Sequence, residues 1–251
     1  DVIFSDALNH ASLIDAARLS RATRVVFPHN DTAALARLMD DSPCAGVRFV
    51  VVESMFSMDG DSAPLPALAQ LCRDRRAVLV VDEAHAVGVF GAHGTGLIEE
   101  FGLDAAPLIS INTAGKALGV GGAFVAGPAW AIEYLVQRAR PFVFSTAAPP
   151  AMAWAISASL DVLRDEPGRR ASLRASATHL RERLRAGGLD VATDDSHIVP
   201  IRIGPNDVAL QVAEALQREG FDVRAIRPPT VPEGTARLRV SVNTGVSDAT
   251  L

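Results

Sequence analysis

Val78-Leu79-Val80-Val81-Asp82-Glu83-Ala84-His85 is a run of four apolar residues followed at once by two carboxylates and, one residue on, a histidine. A short apolar run that breaks off into polar residues reads as a buried strand. Similar runs occupy residues 2–4, 24–27, 48–52, 108–111 and 123–126, and amphipathic helical patterns fill 10–19, 32–39 and 67–76. Strands that alternate with helices, and are apolar almost throughout, predict an α/β domain with a mostly parallel sheet covered on both faces. Such sheets bind ligands beyond the carboxyl ends of their strands. Asp82, Glu83 and His85 stand at that place.

Four apolar residues and Asp-Glu-Ala-His also describe the magnesium-binding strand of a helicase-type ATPase. That reading requires an upstream phosphate loop, Gly-x-x-x-x-Gly-Lys-Ser/Thr. The Gly115-Lys116 pair lies downstream, is followed by Ala117, and has Ser110 in place of the first glycine. The ATPase reading fails. Lys116 is, however, the sole lysine among 24 basic residues. A guanidinium serves ion pairs and anions but does not deprotonate near neutral pH. A lysine amine does, and it can attack a carbonyl carbon. By itself Lys116 reads as a leftover surface residue, Asp82 as a cap and His85 as a loop histidine. Together they supply what pyridoxal 5'-phosphate requires: a carboxylate that keeps the ring nitrogen protonated, a partner for the phenolic oxygen, and an amine for the carbonyl.

Val81-Asp-Glu-Ala-His85 with Asn112-Thr-Ala-Gly-Lys-Ala-Leu-Gly119 resembles the α-oxoamine synthases, pyridoxal-phosphate enzymes of the aspartate-aminotransferase fold (fold type I). The resemblance extends over essentially the whole chain. It implies that His10, in Asn9-His-Ala-Ser-Leu13, stacks on the cofactor ring. It places Ser57, in Glu53-Ser-Met-Phe-Ser-Met-Asp-Gly-Asp61, near the phenolic side, and Thr113 on the phosphate. Ser145 and Thr146, in Phe142-Val-Phe-Ser-Thr-Ala147, would reach the phosphate of a neighbouring subunit, which implies a homodimer with a shared active site. Lys116, His10, Asp82 and His85 are the catalytic candidates. The family also has an N-terminal arm, a Ser-Gly-aromatic helix start that binds phosphate, and a C-terminal helix. None of these is in this sequence. Ser247 reads as the N-cap of a helix that does not follow, so the chain reads as a fragment cut at both ends.

Near residue 163 the pattern changes. A helix at 169–186, a strand at 197–203, a helix at 207–219 and strands at 223–226 and 237–242 predict a smaller α+β domain. The expected domains are therefore 1–163, binding the cofactor, and 164–251. Ile226-Arg-Pro-Pro-Thr-Val-Pro-Glu-Gly-Thr-Ala-Arg-Leu-Arg239 is similar to the 8-amino-7-oxononanoate synthase version of this stretch. Prolines stiffen it and arginines suit a substrate carboxylate. The resemblance gives that role to Arg239, with Arg227 as a second candidate; Arg237 reads as an outward-facing strand residue. The implied reaction joins L-alanine to pimeloyl-CoA, or the carrier-protein thioester, in biotin synthesis. Two alternatives stay open: a glycine acyltransferase of the 2-amino-3-ketobutyrate CoA ligase type, and an incompetent fragment.

The totals set bounds. Net charge is −5 with no basic run, which argues against nucleic acid. Two cysteines, Cys44 and Cys72, make no disulfide framework and have no metal-ligand spacing, so no metal site is expected and a reducing, cytoplasmic compartment fits. No apolar stretch has the length of a membrane span. His29, His93, His179 and His197 read as structural or solvated. Trp130 and Trp154 read as packing residues on helices.

Overall fold

In the computed structural model the apolar runs become neighbouring strands of one sheet. The structure describes residues 1–103, 108–192 and 194–246; Ser247 lies outside the described residues. The chain divides into two compact units, Asp1–Phe56 with Ser62–Pro167, and Ser57–Asp61 with Gly168–Leu251. The sequence puts the change near residue 163. It gives no hint that five residues from the middle of the first unit belong with the second.

The first unit runs β1 (Val2–Asp6), α1 (Ala11–Leu19), β2 (Thr23–Phe27), α2 (Thr32–Asp41), β3 (Arg48–Glu53), α3 (Leu65–Asp74), β4 (Ala77–Asp82), α4 (Leu97–Glu100), β5 (Leu108–Thr113), β6 (Ala123–Ala126), α5 (Ala129–Arg138), α6 (Arg140–Val143) and α7 (Pro150–Asp165). The strand order is β2-β1-β3-β4-β5-β6. Pairs from β2 to β5 are parallel and β6 is antiparallel to β5. Helix starts follow local chemistry: the Asp31 carboxylate accepts the Ala34 N–H at 2.7 Å to open α2. Leu65, Leu68, Ala69 and Cys72, spaced for one helical face, bury α3.

Phe4, Val50, Val52, Leu79 and Val81 are essentially inaccessible. Phe49, Val51, Val78 and Val80, on the opposite face, are only half-buried. Apolar runs predict cover on both faces, whereas within this chain one face is covered better than the other. The sequence reading places Trp154 on a helix without giving its bounds; that helix is α7, which carries no buried residue. Trp130 and Trp154 are 57% and 77% exposed, so within this chain neither is the packing residue expected of it.

The second unit runs α8 (Gly168–Ala186), β7 (Ile198–Gly204), α9 (Asn206–Arg218), β8 (Arg224–Ile226) and β9 (Ala236–Ser241). Its antiparallel sheet has the order β7-β9-β8. α9 contacts all three strands. Arg181 fastens α8 to the approach of β7, donating to the carbonyls of Ser196 (2.5 Å) and Ile198 (2.8 Å) and to Asp194 (2.6 Å). Among the described residues no helix is long and apolar enough to cross a membrane.

Candidate active site

Parallel pairing brings strand ends together, and the chain's polar residues collect there. In the β3–β4 register Glu53 stands opposite Asp82, each the last residue of its strand. Asp82 is buried, and its carboxylate accepts the Ala84 N–H at 2.9 Å. Burial raises its proton affinity, against the Ala84 hydrogen bond and the charges of Lys116 and His10. Next in the chain, Glu83 is fully buried and accepts from the Ser54 hydroxyl (2.7 Å) and from the N–H groups of Ile98 (2.7 Å) and Leu97 (3.1 Å). Burial raises its proton affinity too. Glu83 thus ties the β4 end to the start of α4.

Lys116 lies in the loop joining β5 to β6. Hydrogen bonds from Gly119 N–H to the Lys116 carbonyl (3.0 Å) and from Val120 N–H to the Ala114 carbonyl (2.8 Å) shape that loop. Lys116 Nζ is 2.9 Å from His85 Nε2. At the end of β5, Thr113 Oγ1 is buried without a hydrogen-bond partner. Gly88 fits the loop after His85 closely against the lysine loop. At its φ of +84° an added Cβ would lie 2.5 Å from the Ala117 Cβ, next to Lys116. Gly88→Ala is therefore expected to cost about 1–3 kcal/mol, since the backbone is strained and Ala117 must move. Thermal melting checks the stability loss. A matching drop in the reactivity of the lysine amine toward an aldehyde reagent checks that Lys116 shifts with it.

His10 caps α1. Its Nδ1 accepts the Ser12 N–H at 3.3 Å, and the ring is exposed. Asn9 fixes the preceding backbone: its amide donates to the Val51 carbonyl (2.7 Å) and the Ser5 hydroxyl (2.9 Å), and its Oδ1 accepts the Glu53 N–H (3.2 Å). His29, read as a turn histidine, meets Asp6 Oδ1 at 2.9 Å and packs edge-on against Phe56.

Glu53 had no role in the sequence reading. It is buried, and its Oε1 has no hydrogen-bond partner. Burial, then the neighbouring Asp82, pushes its carboxyl up to about 7; the His10 N–H and Lys116 act against them. The available signal was its position, a carboxylate ending an apolar strand as Asp82 does. A raised folded-state value means that the folded protein binds the extra proton. Its stabilising contribution is complete below about 4.5 and is lost as pH rises through 7. Glu53→Gln should remove this slope. Relative to the parent, the variant gains up to about 3 kcal/mol between pH 4.5 and pH 8, read from paired melts.

The other assigned residues lie elsewhere in the chain. Ser145 and Thr146 follow α6 and are exposed. Ser57, Arg227 and Arg239 belong to the second unit. Arg227 is exposed just beyond β8, whereas Arg239 on β9 is half-buried with an unpartnered, buried Nε. Burial lowers its proton affinity. Arg237 corrects the sequence reading: it is 4% exposed and pairs with Asp59. Strand alternation tells which residues share a face, and not which face is covered. Among the described residues no cluster of His, Cys, Asp and Glu is arranged to hold a metal ion.

The family described as aminotransferase class I and II matches residues 1–251. The chain is 50% identical to an 8-amino-7-oxononanoate synthase of Paraburkholderia xenovorans over 99% of its own length. It spans 64% of that relative. Among solved structures, an 8-amino-7-oxononanoate synthase of Francisella tularensis matches with TM-score 0.84 at 32% identity, over 100% of this chain and 72% of that one. A serine palmitoyltransferase of S. paucimobilis with a bound PLP–myriocin aldimine matches with TM-score 0.94 at 30% identity, over 100% and 63%.

Proposed function

Because the chain belongs to the aminotransferase class I and II family, we propose that the full-length protein uses pyridoxal 5'-phosphate to condense L-alanine with a pimeloyl thioester. The products are 8-amino-7-oxononanoate, carbon dioxide and the free thiol of CoA or of a carrier protein. The observation that carries this reading is the sole lysine held 2.9 Å from His85, on the loop after the strand paired to the one ending in buried Asp82. Identity of 50% to an 8-amino-7-oxononanoate synthase supports the choice of substrates.

The residues present fit the cofactor. Thr113 offers a buried, unpartnered hydroxyl to an anion, Asp82 a buried carboxylate to a ring cation, and Lys116 an amine to a carbonyl. Bound pyridoxal phosphate supplies an electron-withdrawing ring that takes up the charge left when the α-proton is removed. Lys116 would hold the cofactor through its amine, and the free amine would serve as the base at the α-carbon, a role open to an amine that a neighbouring cation disfavours from charging. His85, beside it, would orient the amine and meet the phenolic oxygen. Asp82 would hold a proton on the ring nitrogen, and that cation would offset the cost of burying the carboxylate. His10, with its backbone fixed through Asn9, would stack on the ring. Ser57 is assigned to the phenolic side, and Arg239 and Arg227 to the substrate carboxylate. Glu53, one strand from Asp82, is assigned no step.

A homodimer with a shared site is part of the proposal. Ser145 and Thr146 stand in an exposed stretch rich in apolar residues, including Trp130, Tyr134, Phe142 and Phe144. A cytoplasmic location is also part of it, on the two free cysteines.

Likeness to a serine palmitoyltransferase at TM-score 0.94 favours one second reading, a sister acyltransferase using another small amino acid. The test is free-thiol release by the reconstituted full-length protein. Alanine-dependent release from pimeloyl-CoA is the expected result. Release only from acetyl-CoA with glycine, or from palmitoyl-CoA with serine, overturns the substrates and keeps the chemistry.

A further inference from the structure

The connection from β3 to α3 leaves the first unit for five residues. An antiparallel bridge between Met55 and Ser62 closes its neck, and the tip, Ser57–Asp61, belongs to the second unit. Two independent contacts fasten that tip to the small sheet. Asp59 accepts from the guanidinium of Arg237 on β9. Arg237 is 4% exposed, and its Nε also donates to the Thr235 carbonyl at 3.1 Å. A guanidinium so buried needs its counter-charge, because an unpaired buried charge is strongly unfavourable. The second contact is steric. Gly60 has φ +70°, and a Cβ there would lie 2.7 Å from the Ile198 carbonyl of β7. Loop backbone and strand backbone thus meet where only glycine fits.

Both ends of the ion pair lie two residues from a residue with an assigned role. Ser57 precedes Asp59 by two positions, and Arg239 follows Arg237 by two on the same strand, which puts both arginines on one strand face. We infer that Asp59 and Arg237 form a clamp that makes the Ser57 loop part of the small sheet, so that the cofactor-facing serine and the carboxylate-binding arginine move as one body. Arg237 and Asp59 are positioning residues. Arg239 meets the substrate carboxylate, and the clamp carries its position to Ser57. The roles of Ser57 and Arg239 rest on the proposed function; the clamp itself does not.

The test compares Asp59→Asn, Arg237→Gln and the double variant in full-length protein, first without cofactor. Hydrogen exchange across residues 57–61 should quicken about ten- to hundredfold in each single variant, as loss of a charged hydrogen bond implies. Exchange in the centres of β7 and β9 should stay near the parent. The double variant should lose no more than either single one, since the two residues act through one contact. Unchanged exchange in the loop overturns the clamp, as does an equal loss throughout the small sheet. In reconstituted enzyme, Asp59→Asn should raise the KM for the amino acid and weaken pyridoxal phosphate binding together. A change in one without the other overturns the coupling. If the parent releases no thiol from any acyl donor, the functional reading fails, and the exchange data still decide the clamp.

Discussion

Lys116→Ala is expected to abolish covalent attachment of pyridoxal phosphate and to lower thiol release by at least about 10²–10⁴-fold, the usual worth of a positioned base. Composition sharpens the expectation. This stretch of chain holds no second lysine, and its 24 basic residues otherwise consist of arginine. A guanidinium remains protonated at neutral pH and neither attacks the carbonyl nor removes the α-proton. Lys116→Arg, which keeps the charge, should therefore be as inactive as the alanine variant. Lys116 is exposed and lies outside the core, so its loss should move stability by no more than about 0.5 kcal/mol. A lost visible cofactor band, no borohydride-fixed adduct by mass spectrometry and an unchanged melting temperature form the expected set. An adduct retained in the alanine variant sinks the assignment.

Arg181→Ala is expected to cost about 3–5 kcal/mol of stability. Arg181 lies on an arginine-rich helix and is 2% exposed. Its guanidinium satisfies the carbonyls of Ser196 and Ile198 and the carboxylate of Asp194 at once. Burial lowers its proton affinity and Asp194 works against that, so the cation persists because its partners surround it. Truncation takes a donor from two carbonyls and a half-buried carboxylate, just where β7 begins, and leaves Ser196 to serve Asp194 and the Ile198 carbonyl. Hydrogen exchange at Ile198 and Leu238 measures the loss within the small sheet. Protection equal to the parent would mean that water replaces the guanidinium at little cost.

The two arginines show where reading along the chain stops. Arg181 sits on an arginine-rich helix, where no pattern singles it out, and Arg237 on an alternating strand, where local pattern sends it outward. Both are buried, because residues distant in sequence cover them: Asp59 and Arg237 are 178 positions apart. Glu53 was missed for a related reason. Its carboxyl becomes unusual only once β3 lies beside β4 and Asp82 becomes its neighbour. Trp154 errs in the other direction, since an apolar helix residue reads as packed and this one is 77% exposed.

By itself the sequence determined what local rules govern. Residue periodicity placed the sheet strands and the helices that alternate with them, the break from apolar to polar after Val81 marked the sheet's carboxyl edge, and Lys116, Asp82 and His85 together pointed to pyridoxal phosphate. Only the tertiary structure decided which buried groups face one another. It set Lys116 against His85, Glu53 against Asp82, and the Ser57 loop on the small sheet. Secondary structure follows from interactions within a few residues, whereas burial, counter-charges and proton affinity follow from neighbours that the chain acquires by folding.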